Sequence, residues 1–92
     1  MRVLLHSAFL PAWARLSAQE RKIVEAFLGQ LKIAGITPGM RPHNMRGAGS
    51  PLLSLSPNMD LRAIAVRRHE DVTILYVGHH DDAYSWERGQ RN

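Results

Sequence analysis

Apolar and polar positions alternate along this chain with periods that name its elements. Residues 1–6 are rich in strand formers and predict a first strand. Phe9, Trp13 and Leu16 follow at helical spacing, with Pro11 tolerable in a first turn. Ser17-Ala18-Gln19-Glu20 has the form of a capping box, in which the Ser hydroxyl accepts the Glu amide and the Glu side chain reaches back. Ile23, Val24, Phe27, Leu28 and Leu31 then fall at i, i+1, i+4, i+5 and i+8, one face of a helix of about four turns. Gly35 supplies its C-cap, so the two helices form a hairpin.

Residues 36–50 carry Pro38, Gly39, Pro42, Gly47 and Gly49 and predict an irregular, exposed connection. Leu52, Leu53 and Leu55 suggest a second strand, ended by Ser56-Pro57-Asn58. Residues 61–67 read as a third, with Leu61, Ala63 and Ala65 on one face and Arg62, Ile64 and Val66 on the other. His69-Glu70-Asp71 makes a turn into a fourth strand, residues 72–77, which Gly78 is expected to end. Residues 80–88 complete the chain as a short helix with Asp81 and Asp82 near its positive end. The expected architecture is a single α+β domain over 1–92: an N-terminal strand, an α-hairpin, a three-stranded antiparallel meander and a short C-terminal helix. The sheet is expected to be antiparallel and covered largely on one face.

Composition narrows the function. Ninety-two residues at 45% apolar content support one small core, not two. The absence of cysteine excludes disulfides, thiolate zinc sites and thiol nucleophiles. No apolar run approaches the ~20 residues of a membrane span. Arg2, apolar residues 3–10 and Ala12-Trp13-Ala14 imitate a signal peptide, but His6, Ser7 and Pro11 break the run. Its removal would also take a strand from a minimal domain, so a cytoplasmic protein is expected. The formal charge is +4, and ten of the twelve cations are Arg, which suits bidentate contact with an anionic partner such as RNA, DNA or an acidic protein.

Chemistry concentrates in a few places, each with a plain structural alternative. Arg62 sits between apolar strand neighbours; it is either a solvent-face arginine or a guanidinium aimed from a rigid strand at a phosphate. Gly78-His79-His80-Asp81-Asp82-Ala83-Tyr84 is the densest polar cluster. His80 and Tyr84, at i and i+4, suit acid–base work, while the alternative has the aspartates capping a helix and both histidines facing solvent. Adjacent His and Asp chelate one ion poorly and no second ligand set lies elsewhere, so neither a metal nor a cofactor is expected. Arg41, His43 and Arg46 lie on the Gly/Pro-rich connection, as solvated cations or as a basic lip over a groove. Arg67-Arg68-His69 reads as a solvated hairpin tip, and Trp13 and Trp86 as core aromatics.

Three stretches carry a family likeness: Gly47-Ala48-Gly49-Ser50-Pro51-Leu52-Leu53-Ser54-Leu55, then Asp60-Leu61-Arg62-Ala63-Ile64, then Leu75-Tyr76-Val77-Gly78-His79-His80-Asp81-Asp82-Ala83-Tyr84-Ser85-Trp86. Together they resemble the RelE/ParE toxin superfamily, in its branch with a C-terminal HHDDAYxW-like motif. The likeness spans nearly the whole chain and includes the β-α-α-β-β-β order. It implies a small bacterial toxin neutralised by a cognate antitoxin.

RelE-type members cleave mRNA in the ribosomal A site without metal, by attack of a 2′-hydroxyl on the adjacent phosphate; ParE-type members act on DNA gyrase. The resemblance thus implies an endoribonuclease whose catalytic residues are Arg62, on the phosphate, with His80 and Tyr84 handling the nucleophile and its proton. Arg46, with Arg41 and His79, would bind RNA, and mRNA and the ribosome would be partners. Two departures stand out: Ser56 and Pro57 replace an Arg and a strand residue common in relatives, and a lysine-rich surface is missing. Similar domains beside UvrD/Rep-type helicases imply a further alternative, a binding module without toxicity. The ribonuclease reading requires Arg62 to emerge on the same side of the sheet as His80 and Tyr84.

Overall fold

The computed structural model describes residues 1–47 and 49–90. Its elements are β1 (Arg2–Leu5), α1 (Phe9–Ala14), α2 (Ala18–Ala34), a 3₁₀ turn (Pro38–Met40), β2 (His43–Asn44), β3 (Leu52–Leu55), β4 (Leu61–Arg68), β5 (Asp71–His79) and α3 (His80–Gly89). The helical hairpin forms as its local chemistry dictates. Ser17 Oγ accepts from the Glu20 amide at 3.1 Å and the Ser17 amide donates to Glu20 Oε1 at 2.9 Å, a complete capping box. Arg21 Nη1 donates to the Ala14 carbonyl that ends α1 and to the Leu16 carbonyl in the turn beyond it, and its guanidinium lies 5.4 Å from the Trp13 ring centre. Gly35 takes φ +72° and ψ −162°, a conformation open in practice only to glycine, and its amide donates to the Leu31 carbonyl. Val24, Phe27 and Leu31 are buried against the sheet with Phe9 and Ala12 of α1 and Leu16 of the turn between the helices.

The sheet is five-stranded and mixed, in the order β1-β5-β4-β3-β2. This corrects the expectation of a purely antiparallel sheet: β1 pairs parallel with β5, Arg2 opposite Asp71 and Leu5 opposite Ile74. The hairpin carries the chain from one edge of the sheet to the other, so the last strand fills the place beside the first and runs the same way. The added strand, β2, lies inside the connection read as irregular; two residues are too few to show a period, and only the pairing of His43 with Ser54 reveals them.

Both faces of the sheet are covered. On β4 the expected alternation holds: Leu61, Ala63 and Ala65 join the helical-hairpin core, whereas Ile64 packs with Met45 and Ala83 beneath α3. On β5 alternation breaks at a bulge, because Ala65 pairs with Ile74 but Ile64 pairs with Tyr76, leaving Leu75 unmatched. Val72, Ile74 and Val77 consequently all reach the same core. Gly78 does not end this strand. It continues to His79, and Gly78 is buried under the Tyr76 ring, where a Cβ would lie 3.2 Å from Tyr76 Cε2. Tyr76 in turn stacks on Trp86, centroids 4.9 Å apart. Among the described residues, no helix is long and apolar enough to cross a membrane.

Candidate functional site

The register of β4 decides where its arginine goes. Arg62 shares a face with Ile64, which packs against Ala83 of α3, so its side chain emerges on the side that α3 covers. Its cross-strand partner is Gly78, two residues before α3 begins at His80. Arg62 and His80 therefore line one open depression of about 470 Å³, with Met59, Asp60, His79 and Asp82. Tyr84, one turn along α3, meets the His80 ring edge-on at 4.4 Å between centroids. The three residues sought together from sequence lie on one side of the sheet.

Their detailed disposition is less simple. Tyr84 lines a neighbouring depression of about 390 Å³ with His43, Arg46 and Arg88, so the His80–Tyr84 contact is the ridge between two hollows. The first hollow is mixed in charge: Asp60, Asp81 and Asp82 stand against Arg62, His79 and His80. Arg62 directs Nη1 at the carbonyls of Asn58, Met59 and Leu61, at 3.2, 2.9 and 2.7 Å, leaving Nε and Nη2 for other acceptors. The loop it braces is a side-chain-built turn, since Asn58 Oδ1 accepts from the amides of Asp60 and Leu61.

His80 opens α3, its amide donating to the Asp60 carbonyl at 3.2 Å. Its Nδ1 lies 3.1 Å from Asp81 Oδ1. A proton on Nδ1 donates to that carboxylate and leaves Nε2 with a free lone pair, the arrangement a general base requires. The Tyr84 hydroxyl donates to Ser54 Oγ at 3.1 Å, which fixes the phenol against β3 while its oxygen keeps acceptor capacity.

The residues expected to bind RNA are placed differently. Arg46, with φ +60°, sends Nε and Nη2 to Glu87 Oε2, both at 2.9 Å, and that glutamate is 2% exposed. The guanidinium is half-exposed and ties the β2–β3 loop to α3. Arg41, also left-handed at φ +48°, is exposed and lies outside the residues lining the two hollows. His79 lines the first hollow, but its Nε2 is 2.8 Å from Glu20 Oε2 on α2. Glu20 has its carboxyl held below the usual range, mainly by the Ser17 backbone amide, with the Ser17 side chain and His79 adding to the effect.

Sequence reasoning did not single out Ser54, Glu87 or Arg88, and left His43 as one of several loop cations. His43 pairs with Ser54 across β2–β3, so both side chains share the face that Tyr84 occupies. Only strand pairing shows this. Among the described residues, no three His, Asp or Glu groups converge as a metal-ligand set.

No family model matches the sequence, and no curated protein matches it. Solved structures do match. YafQ from E. coli superposes with a TM-score of 0.70 at 11% identity, over 91% of this chain and 99% of that one. The archaeal RelE of a RelE–RelB complex from Pyrococcus horikoshii gives 0.70 at 18% identity, over 85% and 92%. A copper-bound mutant toxin from Helicobacter pylori gives 0.67 at 15% identity, over 89% and 97%. YafQ is also known in a DinJ–YafQ toxin–antitoxin complex. At such identities the likeness is one of fold: the chain has the RelE-like fold.

Proposed function

We propose that this chain is the toxin of a toxin–antitoxin pair and that it cleaves mRNA without a metal ion. The observation that carries the reading is the shared hollow of Arg62 and His80, with Tyr84 against the His80 ring. In the proposed reaction His80 Nε2 takes the proton of an RNA 2′-hydroxyl, whose oxygen bonds to the adjacent phosphorus. The bond from phosphorus to the 5′-oxygen breaks, leaving a 2′,3′-cyclic phosphate and a 5′-hydroxyl that draws its proton from solvent. The free edge of Arg62 neutralises the charge building on the phosphoryl oxygens, and Tyr84 orients the nucleophile. Arg41 and Arg88 supply cations for the flanking backbone. Such a toxin works in the cytoplasm, on ribosome-bound mRNA, and an acidic, partly disordered antitoxin suits its +4 charge.

One observation favours a non-enzymatic, ParE-like reading: the hollow also presents Asp60, Asp81 and Asp82, which repel a phosphate, and Arg62 Nη1 already has three acceptors. Induction of the wild-type chain in bacteria, with primer extension on ribosome-bound mRNA and a check of DNA topology, separates the two. Growth arrest with codon-phased cuts, lost in Arg62→Ala and Tyr84→Phe, supports the ribonuclease. Arrest with intact mRNA and altered supercoiling supports gyrase inhibition. Absence of arrest favours a binding module.

A further inference from the structure

At the start of α3 a local rule is broken. His79 is the N-cap residue, with extended φ −65° and ψ 157°, yet its side chain makes no capping hydrogen bond. A histidine is a poor choice at a position where Ser, Thr, Asp or Asn would satisfy a free amide. Its imidazole instead turns across to α2, where Nε2 meets Glu20 Oε2 at 2.8 Å. Glu20 uses both oxygens: Oε1 accepts from the Ser17 amide and Oε2 faces His79. The capping box of α2 and the junction that launches α3 thus share one carboxylate.

We propose that Glu20 is a positioning residue for the Arg62–His80 hollow, acting through His79; this rests on the ribonuclease reading. His79 is the last paired residue of β5, opposite Leu61. Beyond it, the His80 amide bond to the Asp60 carbonyl holds the chain end of the junction. His79 and His80 are adjacent and both line the hollow with Arg62. The Glu20 carboxylate fixes the His79 ring with a proton on Nε2, which sets the direction in which the chain leaves the sheet and so the pose of His80. His79 then serves as a link in the wall of the hollow, and its role is to hold His80 instead of gripping RNA.

The test separates the two jobs of Glu20. Glu20→Gln keeps an oxygen for the Ser17 amide, since Gln also completes a capping box, but turns an NH₂ group toward His79. That donor requires His79 to accept at Nε2 and moves its proton to Nδ1. Ser17→Ala weakens the cap and leaves the His79 contact untouched. Each variant is followed by thermal unfolding, by imidazole ¹⁵N NMR of the free protein, and by cleavage of ribosome-bound mRNA. Glu20→Gln is expected to lower the neutral-pH melting temperature only modestly, by the stability its charge supplied, and to change the His79 tautomer, displace the His80 imidazole signals, and lower kcat about tenfold at unchanged KM. Ser17→Ala is expected to melt earlier with the His79 and His80 signals and kcat retained.

The proposal is overturned if Glu20→Gln alters the His79 signals while those of His80 stay in place, or if cleavage by that variant equals wild type. If the wild-type chain cleaves no RNA but Glu20→Gln still displaces the His80 signals, the ribonuclease reading fails and the coupling stands.

Discussion

The Tyr84 hydroxyl reaches across from α3 to donate to Ser54 on β3, 3.1 Å away, and Ser54 is 2% exposed. The bond pins the phenol beside His80 and beneath His43, the cross-strand partner of Ser54. Tyr84→Phe keeps the ring and removes the donor, leaving the buried serine hydroxyl without it. The expected loss of unfolding free energy is about 1 kcal/mol, read from urea denaturation. Ser54→Ala should cost a similar amount. The double variant should cost less than the sum, because each single change already breaks the one bond. A loss of RNA cleavage in Tyr84→Phe far beyond what this modest destabilisation explains would place the phenol in the chemistry.

Arg46 invites misreading. A variant that abolishes activity would be taken as loss of an RNA contact, yet its guanidinium makes two 2.9 Å contacts with buried Glu87. Arg46→Ala withdraws that charge from a carboxylate shielded from water, so about 2–4 kcal/mol of stability should go, the half-exposed arginine keeping the figure below that of a fully buried pair. Arg46→Lys keeps the charge and loses the fork, and should fall between. Urea denaturation gives the comparison. Activity should be compared only at temperatures where both variants remain folded.

How much of this was legible in the chain follows a physical line. The capping box of Ser17 and Glu20, the Gly35 stop and the apolar face of α2 are all encoded within a few residues, and periodicity exposes them. The side on which Arg62 emerges was also legible, because β4 alternates without a break. β5 does not. Its bulge at Leu75 moves Val77 to the face that simple counting from Ile74 denies it, and no local signal marks that extra residue. The parallel placement of β1, the Arg46–Glu87 pair and the His79–Glu20 contact are products of topology, joining segments far apart in sequence.

Acid should weaken the fold through two half-buried carboxylates. Glu20 and Asp71 are both held below their ordinary values of 4.5 and 3.8, Glu20 mainly by the Ser17 amide and Asp71 mainly by its hydrogen bond from Arg2. A carboxylate whose pKa is lower in the folded state binds its proton more readily once unfolded. Its stabilising contribution is therefore complete above the unfolded pKa and lost as pH falls through the folded one. The melting temperature should be level near neutrality and decline below about pH 4.5. Glu20→Gln and Asp71→Asn should each flatten that decline. Arg2 carries a raised pKa from the same pair, and its contribution disappears only at strongly alkaline pH.

Gly78 tests the packing between β5 and α3. A Cβ there meets Tyr76 Cε2 at 3.2 Å and Asp82 Cβ at 3.7 Å, and the Tyr76 ring is confined by its stack on Trp86. Gly78→Ala requires the ring to yield by a few tenths of an ångström, at a cost of about 1–2 kcal/mol. Gly78→Val should cost more. Near-UV circular dichroism and Trp86 fluorescence report the displaced stack, and chemical denaturation the lost stability.

Arg62 holds its own loop as well as facing the hollow, so any variant there changes both. Nη1 gathers the carbonyls of Asn58, Met59 and Leu61, while Asn58 Oδ1 takes the amides of Asp60 and Leu61. The two side chains thus brace residues 58–61 together, and the Asp60 carbonyl at the end of that brace receives the His80 amide. Arg62→Ala should lose about 1–3 kcal/mol and free the Asp60 and Leu61 amides to exchange faster with solvent. Arg62→Lys keeps a cation but cannot spread over three carbonyls and still offer a second edge. If the guanidinium only braces the loop, Asn58→Ala should reduce RNA cleavage as much as Arg62→Lys does at matched stability. If it also meets the phosphate, Arg62→Lys should fall much further, by about a hundredfold, because the donor aimed at the developing charge is then missing.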